Sequence, residues 1–266
     1  MSSARPWRVR AALTAAVAVL LGMSAVAVIA DASGASTEDP GPGAAPTYSA
    51  AAGDVADVTR SLAGHGTMLV IGDSYSSYYG DLTTRYPGWW AHVGAQLGLR
   101  ADLLAVGGTG FLARRLECDG ESYDERLAGA VAQDPTVLVI EGGRNDWNRC
   151  VDGRAVESTR AEITAAVDDF FDRLSATWAQ AGRRPGDIYV LSPWGEARSH
   201  KARVIRPIVR EAARAHGFTW ITTTRLTRAE APDGTHPNNA GSRVLADEVL
   251  TNSDLADRFG TTRPTP

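Results

Sequence analysis

Short apolar runs alternate with stretches of helical spacing along most of this chain, and that alternation limits the possible folds more than any other feature. Thr67–Ile71, Ala101–Val106, Thr136–Glu141, Asp187–Leu191 and Phe218–Thr222 read as strands. Pro87–Leu97, Val156–Ala181, Ala202–His216 and Asn238–Leu250 read as helices. In the longest of these, Ile163, Val167, Phe170, Phe171 and Leu174 form an apolar stripe. Strands interleaved with helices of this length imply a parallel sheet covered on both faces. Ligands bind such sheets at the carboxyl ends of the strands, so chemistry is sought directly after each strand.

The N-terminus precedes this pattern and differs from it. Arg5, Arg8 and Arg10 stand before an uncharged run from Ala11 to Ala30, which Asp31 closes. A basic region, an apolar region and Ala30-Asp31-Ala32 as a cleavage site make an export signal. The run is also long enough to span a bilayer. Residues 1–32 are therefore expected to be a signal peptide or an N-terminal membrane anchor through residues 11–30. Either way the positive-inside rule makes the rest of the chain secreted or extracytoplasmic. Residues 33–60 read as a flexible linker rich in Ala, Gly, Pro and Ser, residues 61–259 as one folded domain and residues 260–266 as a disordered tail.

Two cysteines, Cys118 and Cys150, remain in the exported part. Such a pair usually forms a disulfide, the alternative being two separate buried thiols. With no histidine at ligand spacing they do not make a zinc site, and no metal is expected. The net charge is -4 with no basic stripe, which argues against a nucleic-acid partner. A monomer is expected, touching a membrane only through an uncleaved N-terminal segment.

Three segments sit where chemistry is sought. Gly72-Asp73-Ser74-Tyr75 follows the first strand, Gly143-Arg144-Asn145-Asp146 the third, and Asp233-Gly234-Thr235-His236-Pro237 lies between the fifth strand and the last helix. Together they hold the parts of acyl transfer. A serine hydroxyl needs a base to become a nucleophile, and a neutral imidazole suits that task near pH 7. The imidazole needs a carboxylate on its other nitrogen, and Asp233 lies three residues before His236, within one turn. The oxyanion needs donors: the Asn145 amide and the Ser74 backbone N–H are candidates. A fourth segment, Gly107-Gly108-Thr109-Gly110-Phe111, follows the second strand, and Gly110 is expected to bring its N–H to the oxyanion. Tyr75 and Arg144 are candidate substrate contacts, as is Arg149 beside Cys150.

Taken together, these segments resemble the four sequence blocks of the SGNH/GDSL hydrolase superfamily, over roughly residues 67–250. The resemblance implies a three-layer α/β/α, flavodoxin-like fold with a five-stranded parallel sheet. It also implies cofactor-free ester hydrolysis through an acyl-enzyme. By motif position Ser74, Gly110, Asn145 and His236 correspond to the four named residues of that superfamily, and Asp233 to the acid of the triad. Ala105 stands where the second block often begins with Asn. The expected substrate is a small ester, a lipid or an acylated glycan. Two other readings stay open: an acyltransferase acting on surface glycans, and a non-catalytic carbohydrate- or wall-binding domain of the same fold. A dinucleotide-binding reading of Gly107-x-x-Gly110 is disfavoured because it follows the second strand, not the first.

Overall fold

A computed structural model describes residues 66–77, 87–193 and 200–261. The expected leader or anchor, the linker, the domain start at residue 61 and the tail beyond Thr261 lie outside the described residues. The elements run β1 (Thr67–Gly72), α1 (Trp89–Leu97), β2 (Arg100–Ala105), α2 (Tyr123–Ala132), β3 (Val137–Glu141), β4 (Asn148–Val151), β5 (Arg154–Glu157), α3 (Arg160–Gln180), β6 (Ile188–Leu191), α4 (His200–Ala215), β7 (Thr219–Ile221), α5 (Asn239–Thr251) and α6 (Leu255–Arg258).

Five strands form one sheet in the order β2-β1-β3-β6-β7, every neighbouring pair parallel. The continuous apolar character of β1 and β3 follows from this arrangement, because each strand must bury both sets of side chains. Leu69, Ile71, Leu138, Ile140, Ile188 and Val190 face a layer built from α2, α3 and α4. Met68, Val70, Val137, Val139, Tyr189 and Leu191 face α1, α5 and α6 on the other side. The pairing keeps like faces together, Leu69 opposite Leu138 and Val70 opposite Val139. This is the expected three-layer α/β/α architecture. Strands β2 and β3 flank β1, so the chain leaves β1 in opposite directions and opens a crevice at its carboxyl end.

Several boundaries differ from the sequence reading. The long helix begins at Arg160, not Val156. Asn148–Val151 and Arg154–Glu157 instead form an antiparallel hairpin around Asp152 (φ 49°) and Gly153 (φ 73°). Two consecutive positive-φ residues make the tight turn that Asp-Gly favours. Thr159 then caps α3, its hydroxyl accepting from the Glu162 N–H while the Glu162 carboxylate accepts from the Thr159 N–H. Helix α2 was not anticipated, although Ser122 and Glu125 make the same box at its start. Gly260 and Thr261, expected in the tail, close α6 instead, the Thr261 N–H donating to the Ala256 carbonyl at 2.9 Å.

The α3 stripe fills one side of the sheet. Phe170 is fully buried, with its ring edge-on to Phe111 and Tyr123. Phe170→Ala is expected to lower the unfolding free energy by about 3–5 kcal/mol. The measurement is a lower urea midpoint at unchanged slope.

Candidate active site

Ser74 sits where the chain turns away from the end of β1. The Asp73 carbonyl accepts from the N–H of Ser76 (3.2 Å) and of Ser77 (2.9 Å), and the Asp73 side chain accepts from the Tyr75 N–H (2.9 Å). That turn leaves the Ser74 side chain half-buried at the crevice. His236 arrives from the loop before α5, which a single carboxylate shapes. Asp233 Oδ1 accepts from the N–H of Thr235 (2.8 Å) and of His236 (2.7 Å), and Oδ2 lies 2.6 Å from His236 Nδ1. A carboxylate only accepts, so Nδ1 carries the ring proton and Nε2 is left bare. Nε2 lies 2.9 Å from Ser74 Oγ, within reach of the hydroxyl proton across 162 positions of sequence. Burial raises the Asp233 pKa, but the hydrogen bonds from the His236 ring and from the two backbone N–H groups outweigh it and hold the carboxyl below its ordinary range.

Asp73, Ser74, Thr235 and His236 line a cavity of about 410 Å³ together with Gly107, Gly108, Arg115, Arg144 and Asn145. Tyr75 is almost fully buried. Its ring borders the cavity, 5.8 Å from that of His236, and the Arg144 guanidinium lies 5.1 Å from its centre. Arg149 does not face the cavity; it pairs with Glu162 at 2.8 Å.

Gly110 does not hold the place expected of it. Its N–H donates to the Ala113 carbonyl (3.0 Å). A Cβ on Gly110 would lie 2.4 Å from Asp146 Oδ1, so a glycine is required there by that carboxylate and not by an oxyanion. Buried Asp146 accepts from the N–H groups of Phe111, Leu112 and Ala113 and shapes the loop; burial lifts its pKa to about 6 in spite of those bonds. Gly107 is the glycine beside the serine: a Cβ on it would lie 3.6 Å from Ser74 Cβ. Among the described residues, neither the Gly107 nor the Ser74 N–H donates to a protein acceptor. Asn145 faces the cavity, and its Nδ2 donates to the Thr109 carbonyl (2.9 Å) and to Asp73 Oδ2 (3.1 Å). The Thr109 carbonyl only accepts, which fixes the amide orientation.

Beneath the serine lies a buried polar bed that the sequence reading did not single out. Glu141, at the end of β3, accepts from Ser76 Oγ (2.7 Å) and the Asp73 N–H (3.4 Å). Arg126 from α2 donates to the Gly72 carbonyl (3.2 Å), to the Leu104 carbonyl and to Thr109 Oγ1 (2.8 Å), tying together the ends of β1, β2 and the following loop. Tyr123 donates to the Glu141 carbonyl at 2.6 Å. Burial pushes Asp73 up to about 8 and Glu141 well above the ordinary range. Trp89 and Trp90 donate their ring N–H groups to Ser76 Oγ and Ser76 O, so they brace this bed from below.

Cys118 and Cys150 form a disulfide with a Cα separation of 5.7 Å. It joins the loop after β2 to the β4–β5 hairpin, across the crevice from each other. Among the described residues, no group of three or more His, Cys, Asp or Glu side chains is arranged to hold a metal ion.

The geometry has relatives. The model of the GDSL-like lipase/acylhydrolase family matches residues 70–244. The GDSL lipase Rv0518 of Mycobacterium tuberculosis is 28% identical over 195 residues, covering 68% of this chain and 79% of its own. Among solved structures, a GDSL-like lipase of Parabacteroides merdae superposes with a TM-score of 0.54 at 15% identity, covering 71% of this chain and 95% of the other. The carbohydrate acetylesterase Est24 of Sinorhizobium meliloti gives 0.52 at 15% identity, covering 73% and 99%. At these identities the superpositions show a shared fold.

Two outcomes follow from the site as built. Gly110→Ala, which drives a methyl group into Asp146, is expected to lower the unfolding free energy by about 1–3 kcal/mol, read from the denaturation midpoint. The second concerns pH. Asp73 ionises near 3.8 when unperturbed and near 8 in the fold. Between those values the native state holds a proton that the unfolded state has lost, so stability falls as pH rises. Across pH 5 to 7.5, the stability of the wild type relative to Asp73→Asn is expected to fall by about 1 kcal/mol per pH unit, measured by urea unfolding at each pH.

Proposed function

Because the chain belongs to the GDSL-like lipase/acylhydrolase family and is a carboxylic ester hydrolase, we propose that Ser74 carries the hydrolysis through an acyl-enzyme, with His236 as base and Asp233 as its orienting acid. The observation that carries this reading is the hydrogen-bonded chain from Asp233 Oδ2 through the imidazole to Ser74 Oγ, at 2.6 and 2.9 Å. Ser74 Oγ attacks the ester carbonyl carbon as its proton passes to His236 Nε2. The imidazolium is stabilised by Asp233, whose hydrogen bonds keep it ionised. The new oxyanion meets the N–H groups of Ser74 and Gly107 and, by sharing a proton now given to Asp73, Asn145 Nδ2. His236 returns the proton to the departing alcohol oxygen. A water then loses a proton to Nε2, attacks the acyl carbon and releases the acid, restoring the serine hydroxyl.

The substrate is an acetyl or short acyl ester of a small alcohol or glycan. The shared fold with a carbohydrate acetylesterase and the size of the cavity support that range. The enzyme works outside the cytoplasm: a disulfide suits an oxidising compartment, and the N-terminal sequence has the pattern of an export signal or anchor. Among the described residues, no helix is long and apolar enough to cross a membrane.

A panel of p-nitrophenyl acetate, butyrate and octanoate tests the roles. Ser74→Ala is expected to lower kcat/KM by about a thousandfold or more, and Asp233→Asn by about a hundredfold or more. Rapid mixing with the wild type is expected to release a burst of p-nitrophenol equal to the enzyme concentration, as an accumulating acyl-enzyme requires. Equal turnover by wild type and Ser74→Ala would remove the serine from the mechanism.

A further inference from the structure

The cavity around Ser74 is lined by two arginines, Arg115 and Arg144, which approach from different loops. Arg144 precedes Asn145 in the turn after β3. Its guanidinium lies over the Tyr75 ring, beside the serine loop. Arg115 comes from the disulfide-closed loop after β2, and its placement is built in detail. Its backbone takes the left-handed conformation (φ 68°), uncommon for a residue with a side chain, as does that of Cys118 (φ 59°). Its N–H donates to the Gly108 carbonyl (3.1 Å) and its carbonyl accepts from the Cys118 N–H (3.4 Å). Its stem lies between two glycines: a Cβ on Gly120 would come within 2.8 Å of Arg115 Cγ, and one on Gly108 within 3.4 Å. A side chain at position 120 would collide with the arginine stem, whereas Gly108 is held as glycine by its positive φ of 78°. Backbone strain of this kind persists where the surroundings over-determine it, and it gathers at binding sites.

Two guanidinium groups from separate loops thus border the same cavity as Ser74. Glu117 and Asp119 stand 3.8 and 3.5 Å from Arg115, but both carboxylates are mostly exposed, so water and salt screen those pairs. Asp73 is the carboxyl in the cavity lining, and burial keeps it protonated up to about 8. The chain as a whole carries -4, whereas these two lining residues are cationic.

We propose that Arg115 and Arg144 select esters that carry a carboxylate or phosphate on the acid half or the alcohol half, seated in the same cavity as the scissile carbonyl. The anion is a spectator of the reaction; it binds and orients the ester while the bond broken and the protons moved stay as described for the hydrolysis. The proposal rests on the reading of Ser74 as nucleophile, and its test separates the two.

Two matched substrate pairs decide it. For the acid half, p-nitrophenyl hydrogen adipate is compared with p-nitrophenyl hexanoate. For the alcohol half, 4-acetoxyphenylacetate is compared with its methyl ester, following acetate release. In one of the pairs the anionic member is expected to show a kcat/KM about tenfold or more above the neutral one at low salt, the scale of one charge-assisted contact. The favoured pair tells which half bears the charge. The ratio is expected to fall toward one in 1 M NaCl and in Arg115→Gln and Arg144→Gln, and to hold in Arg154→Gln, on the exposed strand β5. Using a ratio cancels any general loss of active enzyme. Should either cleft variant fail to accumulate, the salt series on the wild type decides, and a ratio indifferent to salt overturns the proposal. So do ratios at or below one in both pairs, or a preference that survives both substitutions. Turnover that depends on Ser74 but shows no charge preference overturns this inference alone, whereas turnover indifferent to Ser74→Ala overturns the nucleophile reading beneath it.

Discussion

Each central strand of the sheet is covered by helices on both faces, and that double burial governs the rest of the molecule. With Met68 to Ile71, Val137 to Ile140 and Ile188 to Leu191 all out of water, no polar side chain can be held along the strands without a large desolvation cost. Apart from Tyr189, whose hydroxyl reaches Asp254, the polar side chains of these central strands therefore sit at the strand ends, where backbone carbonyls and N–H groups run out of sheet partners. The order β2-β1-β3 places three such ends side by side. Ser74, the glycine-rich turn and Asn145 each follow one of them, which is why segments far apart in sequence share one cavity.

That convergence brings buried polar groups with it. Asp73, Glu141 and Asp146 lie fully out of water within the same few turns, and burial raises the pKa of each. Arg126 offsets part of the cost by donating to carbonyls at the ends of β1 and β2. Asp146 spends its acceptors on three backbone N–H groups of the loop after β2. Buried polar groups with nearly every partner assigned make a stiff support. A stiff support suits a proposed nucleophile whose oxygen must stay within hydrogen-bond reach of an imidazole carried by a separate loop.

Much of the fold was legible because its signals are local. The apolar runs of β1 and β3, the stripe of α3 and the family resemblance of the four blocks all sit within short windows. The misreadings have physical reasons too. The last two hairpin residues, Val156 and Glu157, read as the start of the long helix because Val156 continues its apolar pattern, although Asp152-Gly153 and the Thr159/Glu162 box mark the turn and the true helix start. Motif position assigns the oxyanion role to Gly110, but the direction of its N–H is set by the folded loop. Gly110 turns its donor to Ala113, and its missing side chain makes room for Asp146. Arg115 carried no motif; its place in the cavity goes with the close approach of Gly120 and a disulfide to a segment 32 positions away from Cys118.

By itself the sequence determined the class of fold, the strands that bear the chemistry and the residue types able to perform ester hydrolysis, since all of these follow from local periodicity and short motifs. The tertiary structure decided which groups come together: His236 with Ser74, Arg126 with two strand ends, and Arg115 and Arg144 on the lining of one cavity. Those meetings join residues that are distant along the chain, and their geometry depends on packing and backbone direction, to which residue order in a short window is blind.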